Sequence, residues 1–236
     1  MMRILALETS GLTGSVAVLD DDRLLAERSL SAGQRSARHL APAIEAALAE
    51  AGWKPDQLEL IAVTTGPGSF TGLRVGVTTA KVMGYALGCQ VLGVNTLEAI
   101  AVAMPRQYSS FWVVMDAQRR ECYLARFVRD AAGDPHLEAP LEIAGDEALL
   151  AELPAGCVLS GPGLEKLAPH LPAESCAEAA VWMPQARAVG QLAFAQFKSG
   201  RRDDAFRLVP NYFRRTAAED AWQRKHGAAP DVASKS

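Results

Sequence analysis

Residues 60 to 94, LIAVTTGPGSFTGLRVGVTTAKVMGYALGCQVLGV, constrain the fold more than any other part of the chain. Leu60 to Val63 is an apolar strand that breaks into a glycine-rich turn at Gly66, Gly68 and Gly72. A helix then runs to about Leu87, and Val91 to Val94 is a second apolar strand. Strand, turn, helix and strand in that order build a sheet with parallel neighbours. The three glycines allow positive φ or a close backbone approach, and Ser69 or Thr71 can cap the helix.

The turn has two readings. Free N–H groups at a helix start can hold an anion, or the glycines simply make a tight corner. Two sharper motifs fail on spacing. A P-loop needs Lys and then Ser or Thr after its last glycine, and Leu73 and Arg74 stand there. The dinucleotide fingerprint needs two residues between its second and third glycines, whereas three separate Gly68 from Gly72.

The polar side chains of the helix, Arg74, Thr78, Lys81 and Tyr85, fall on one narrow stripe. The remainder is apolar or small, including Leu73, Val75, Val77, Val82, Met83 and Leu87. Such a helix is covered on more than one side. Gly76, Ala80 and Gly84 form a ridge of small residues that fits either a partner's helix or an internal neighbour. A second helix is predicted from the spacing of Leu40, Ala43, Ile44, Ala47, Leu48 and Ala51, starting or bending near Pro42.

The order of elements repeats. Ile4 to Leu7, Val16 to Leu19 and Leu24 to Leu30 predict a three-strand meander before the Leu40 helix and the central unit, with a short helix from Asn95 to Val102. After a joint at Met104 to Ser110, Phe111 to Met115, Cys122 to Val128 and Leu137 to Ile143 predict a second meander. A helix at Asp146 to Leu153, a strand at Cys157 to Leu159, and helices at Gly163 to Leu171 and Ala186 to Lys198 complete it. The reading is a duplicated mixed α/β fold, with domains 1–103 and 104–226 and a disordered tail at 227–236. Glu8 and Asp116 hold the same station in the two halves, each just past an apolar first strand.

Charge and composition remove several function classes. A net charge of −3 gives no global basic field for nucleic acid, and the Arg201-Arg202 and Arg214-Arg215 pairs read as solvated surface. The apolar run at the N-terminus is too short for a signal peptide, and no stretch has membrane-spanning length. Four scattered cysteines, Cys89, Cys122, Cys157 and Cys176, read as reduced thiols of a cytoplasmic protein. His39, His136, His170 and His226 are equally dispersed and form no metal-ligand cluster.

GPGSFTGLRVGVTTAK, with the opening ILALETSG, resembles the TsaB family of bacterial tRNA threonylcarbamoyladenosine biosynthesis proteins, the YeaZ or Gcp-like group. Asp116 to Tyr123 and Pro210 to Arg214 are similar to later segments of that family. The resemblance implies two tandem ribonuclease-H-like domains of the actin, Hsp70 and sugar-kinase type, with the final helix 186–198 packing back on the first domain. It also implies a non-catalytic subunit that forms a heterodimer with the transferase TsaD and recruits the ATPase TsaE. TsaD moves threonylcarbamoyl from its AMP adduct onto the adenosine beside the anticodon in tRNAs reading ANN codons. A homodimer in the absence of TsaD, and contact with tRNA through the complex, belong to the same expectation. No membrane partner is expected.

In the actin-like group the two first-strand turns hold the phosphates and metal of ATP, so the resemblance places Glu8, Thr9, Ser10, Gly11 and Asp116 at a phosphate cleft. The glycine usual two residues after each acid is replaced by Ser10 and Gln118, which obstructs phosphate and favours a vestigial cleft. Tightly bound cofactors are therefore not expected, with weak ATP, ADP or Mg left open. TsaD carries a histidine pair where this chain has Thr96 and Ile100, so no metal is expected. No Gly-x-Ser-x-Gly elbow supports a hydrolase. The docking candidates are Leu40, Ile44 and Ala47 on one helix and Leu73, Gly76, Val77, Ala80, Lys81 and Gly84 on the other. The alternative is an autonomous ATPase or phosphotransferase using Glu8 and Asp116.

Overall fold

The computed structural model describes residues 1–11, 13–30 and 37–213. Arg214, Arg215, His226 and the tail at 227–236 lie outside the described residues. Strands β1 (Arg3–Glu8), β2 (Gly14–Asp20) and β3 (Arg23–Leu30) form an antiparallel meander. Helix α1 (Ala37–Glu50) follows, with Pro42 inside it, then β4 (Leu60–Gly66), α2 (Phe70–Leu87), β5 (Gln90–Asn95) and α3 (Thr96–Ala103). The sheet order is β3-β2-β1-β4-β5, with β4 parallel to both β1 and β5.

Strand β1 lies at the centre of two cores because successive side chains point to opposite faces. Leu5 and Leu7 join Leu40, Ile44, Ala47, Val77 and Ala80 of α1 and α2 on one face. Ile4 and Ala6 pack on the other face against Ala186, Val189 and Ala193, which belong to α6 (Ala186–Lys198). Helix α2 starts where the Gly72 N–H donates to the Ser69 hydroxyl at 3.3 Å, and it stops at Gly88, which takes φ 66°.

The second half repeats the plan with β6 (Ser110–Gln118), β7 (Glu121–Arg129), β8 (Pro135–Leu137), β9 (Glu142–Gly145), α4 (Asp146–Glu152), β10 (Leu159–Ser160) and α5 (Leu164–Leu167). Its sheet order is β10-β6-β7-β8, with β9 also on β7, and Cys176 bridges Leu159 in parallel on the outer side of β10. β6 thus matches β1, β10 matches β4, and Cys176 stands where β5 would be. Three sequence expectations are corrected. Leu137 to Ile143 is two short strands, because Pro140 lacks the N–H that a continuous ladder needs. The Cys157 strand starts at Leu159. The helix expected at Gly163 to Leu171 is α5 plus a 3-10 turn at Ala168–His170, where Pro169 breaks the α pattern.

The last helix of each half crosses over. α6 lies on the first sheet, where a Cβ on Gly190 would overlap Leu19. α3 sends Leu97, Ile100 and Ala101 into the core under β6, beside Phe111, Val113 and Met115. From Arg201 to Phe213 the chain then runs as a strap back over β5 and α2.

Candidate functional site

Glu8 ends β1 at the first acid station and is 0% exposed. The N–H and hydroxyl of Ser10 both donate to its Oε1, at 2.6 and 2.5 Å. The glycine-rich corner closes over this turn. The Ser69 N–H donates to the Ser10 carbonyl at 2.8 Å, and Cβ atoms on Gly68, Gly72 and Gly76 would overlap Ser10 or Thr9. Gly66, at φ 122°, approaches the carbonyl of Asn211 in the same way. The start of α2, the anion site of one sequence reading, therefore faces the chain's own carbonyls of Thr9 and Ser10. Gly11, next along, lies against the Thr13 carbonyl.

The second station is the β6–β7 hairpin. Asp116 Oδ1 accepts the Gln118 N–H at 3.0 Å, and Gln118, Arg119 and Arg120 all have positive φ, at 62°, 56° and 61°. Lys166, from α5, reaches Asp116 Oδ1 at 2.7 Å and Asp146 Oδ1 at 3.0 Å. Burial works against the lysine's charge, but hydrogen bonds to Asp116 and Asp146 outweigh it and hold the ammonium above its ordinary range. The Cys122 thiol donates to Asp146 at 3.3 Å, and burial, reinforced by that bond, pushes it up to about 12. A cleft of about 580 Å³ opens beside this cluster, lined by Arg120, Asp146, Glu147, Lys166 and His170 with Leu150 and Leu167. A magnesium ion between the stations, left open only as weak binding, does not fit these residues: Glu8 is sealed off, and Asp116 already holds a cation of its own chain. Thr96 and Ile100 are fully buried, and no group of three metal-binding side chains occurs among the described residues.

The docking candidates need a correction. Leu40, Ile44, Ala47, Leu73, Gly76, Val77, Ala80 and Gly84 are buried within the chain, and Leu40, Ile44, Ala47, Val77 and Ala80 pack into the core of the first sheet. The ridge of small residues admits Thr9 and Val91, not a partner's helix. Lys81 is half-buried and donates to the carbonyls of Phe206 and Leu208, at 3.0 Å each. What α2 turns outward is Thr71, Arg74, Thr78, Val82 and Tyr85, the last two 61% and 78% exposed.

Sequence reading missed the strap that borders this face. Asp203 accepts the Gly93 N–H at 2.9 Å, and Arg201 donates to the Gly93 carbonyl at 2.8 Å, which closes the edge of β5. Asn211 donates its N–H to the Thr65 carbonyl at 2.7 Å. The Tyr212 ring lies 4.7 Å from Phe70, with Arg74 over Phe70 at 3.9 Å. Phe213 reaches Tyr123 of the second half. Phe206, 77% exposed, sits 6.1 Å from Tyr85 and extends the outward apolar face. The only advance signal was the family-like Pro210 to Arg214 segment.

Two α/β halves built on the same mixed-sheet plan, with the first acid station closed and Val82, Tyr85 and Phe206 turned outward, define the class. A family model described as TsaD, tRNA N6-adenosine threonylcarbamoyltransferase, matches residues 30–144. The chain is 30% identical to the tRNA threonylcarbamoyladenosine biosynthesis protein TsaB of Escherichia coli, over 96% of this chain and 99% of that protein. It is 35% identical to an uncharacterised protein of Mycobacterium tuberculosis, covering 72% of this chain and 89% of that one. A match to a Mycobacterium leprae protein, at 38% identity, spans 61% of this chain and only 40% of the relative. Among solved structures, YeaZ from Pseudomonas aeruginosa superposes with a TM-score of 0.76 at 26% identity, over 90% of this chain and all of that one. The chain belongs to the TsaB family. Among the described residues no helix is long and apolar enough to cross a membrane.

Proposed function

We propose that this chain is a non-catalytic subunit of the machinery that makes threonylcarbamoyladenosine in tRNA. It docks TsaD and supports transfer of threonylcarbamoyl from threonylcarbamoyl-AMP to the adenosine beside the anticodon in tRNAs reading ANN codons. TsaE joins that complex, tRNA is met through it, and the chain pairs with itself when TsaD is absent. No cofactor is bound tightly, any binding of ATP, ADP or Mg is weak, and the setting is the cytoplasm.

One observation carries the non-catalytic reading. Glu8, the acid of the first station, has no exposed surface and is spanned by its own Ser10 beneath the glycine corner. A phosphate needs backbone N–H groups open to it, and here the corner has spent one on Ser10. The outward pair Val82 and Tyr85, with Phe206 beside them, supports the docking reading, since contiguous exposed apolar surface marks an interaction site.

Reconstitution tests it. The full-length chain, purified with and without TsaD of the same organism, is assayed for complex formation, ATP turnover and tRNA modification. The expected result is a stable complex, modification that requires this chain, and no turnover by the chain alone. Steady ATP hydrolysis by the chain alone, abolished in the Glu8→Ala, Asp116→Ala double variant, would replace this reading with the autonomous ATPase.

A further inference from the structure

The environment of Asp116 disagrees with a divalent cation in a specific way. Asp116 Oδ1, Asp146 Oδ1 and the carbonyl of Glu121 lie 2.7, 3.0 and 3.3 Å from one point, the Lys166 Nζ. The oxygens come from β6, from the β9–α4 junction and from β7, and converging oxygens of that kind are what hard cations take as ligands. An ammonium offers three N–H donors, one for each. The lysine stem reaches the point from α5, where Leu164 and Leu167 on either side are buried and fix the helix in place.

The cluster holds a turn that needs holding. Gln118, Arg119 and Arg120 take left-handed φ in succession, where a two-residue hairpin loop would ordinarily use Asn-Gly. Asp116 grips the start of the turn through the Gln118 N–H, and the Asp146 N–H grips its end through the Arg120 carbonyl at 2.9 Å. Lys166 ties both aspartates together and also bonds to Glu121 just past the turn.

We propose that Lys166 is the built-in cation of the second acid station. Its ammonium stands where a metal ion would otherwise join Asp116 to Asp146, and so the hairpin keeps its shape without divalent metal. Lys166 is thus a positioning residue for the turn. The inference rests on this cluster alone and holds whether or not the chain docks TsaD.

The test uses the full chain. Wild type, Lys166→Ala, Lys166→Met and Lys166→Ala with Asp116→Asn are melted with and without millimolar Mn²⁺ or Ca²⁺, and Mn²⁺ binding is followed by electron paramagnetic resonance. Wild type is expected to show no saturable response. Lys166→Ala and Lys166→Met should melt lower and regain part of the loss as either cation is added. The regain should vanish with Asp116→Asn, whereas a lysine that acts only by packing would give variants indifferent to cations. Mn²⁺ bound by wild type and lost in Asp116→Asn would overturn the proposal. So would lysine variants that gain no response, or that stay unfolded with the cations present.

Discussion

Thr9, just past β1, and Gly76 of α2 meet so closely that a Cβ on residue 76 would overlap the threonine hydroxyl. At Gly72, one turn earlier, the overlap would fall on the Thr9 carbonyl itself. The first acid station is therefore closed by shape as well as by hydrogen bonds. Overpacking of this kind costs about 1–3 kcal/mol. Gly76→Ala is expected to lose that much stability in urea unfolding, while Thr78→Ala on the exposed face stays within about 0.5 kcal/mol of wild type. An unchanged midpoint for Gly76→Ala would mean that the turn and the helix do not pack this way.

A docking test belongs on the outward stripe and not on the buried ridge. Tyr85→Ala and Val82→Glu, both at exposed positions, are expected to melt like wild type and to weaken TsaD binding. A central interface residue is worth about 2 kcal/mol or more, roughly 30-fold in Kd. Ala80→Trp, at a fully buried site, is expected to destabilise the fold instead of probing the interface. Titration calorimetry against TsaD gives the answer; unchanged affinity in both exposed variants would move the interface off this helix.

The strap depends on Asp203. Its carboxylate takes the buried Gly93 N–H and pairs with Arg201 at 3.0 Å. Asp203→Ala leaves that N–H without its acceptor, a loss of about 1–3 kcal/mol. Hydrogen exchange at the Gly93 amide should accelerate in the variant, and protease cleavage within residues 201–213 should follow. Protection equal to wild type at Gly93 would show that the strap is held elsewhere.

Alkaline pH should loosen the protein. Burial first, then the bond to Asp146, lifts the Cys122 thiol from an ordinary 9.0 to about 12. Burial pushes the thiols of Cys89, Cys157 and Cys176 upward as well. Because the folded value lies above the unfolded one, the unfolded chain gives up its proton first. The stability this group contributes is complete below about pH 9 and is lost as pH climbs toward 12. Urea midpoints measured across that window should fall, and less steeply in Cys122→Ala. A variant with the same slope as wild type would show that the Cys122 thiol is not responsible.

Local features could be read from the sequence, and remote ones could not. Leu60 to Val94 announces itself because Ser69 starts the helix, Gly88 stops it, and the flanking strands are apolar throughout. The polar stripe of α2 is equally plain, since spacing alone decides which side chains share a face. The purpose of Gly76 and Gly84 was ambiguous, because smallness records a close approach and not who approaches. Their neighbours are Thr9 and Val91. Lys166 and Asp116 are 50 residues apart, and Lys81 lies more than 120 from the strap carbonyls it binds. Only folding pairs such groups.

The exchange of α3 and α6 has a consequence for how the molecule can be taken apart. α6 is seated on the sheet of the first half, and α3 inserts Leu97 and Ile100 beneath β6 of the second. A cut in the Met104 to Ser109 connection would give two fragments, each missing a helix that covers its own core and each carrying one that the other requires. Neither fragment is expected to fold as a free-standing module. Expressed together they should knit into one particle, and expressed singly each leaves a greasy sheet face bare for chaperones and proteases to find.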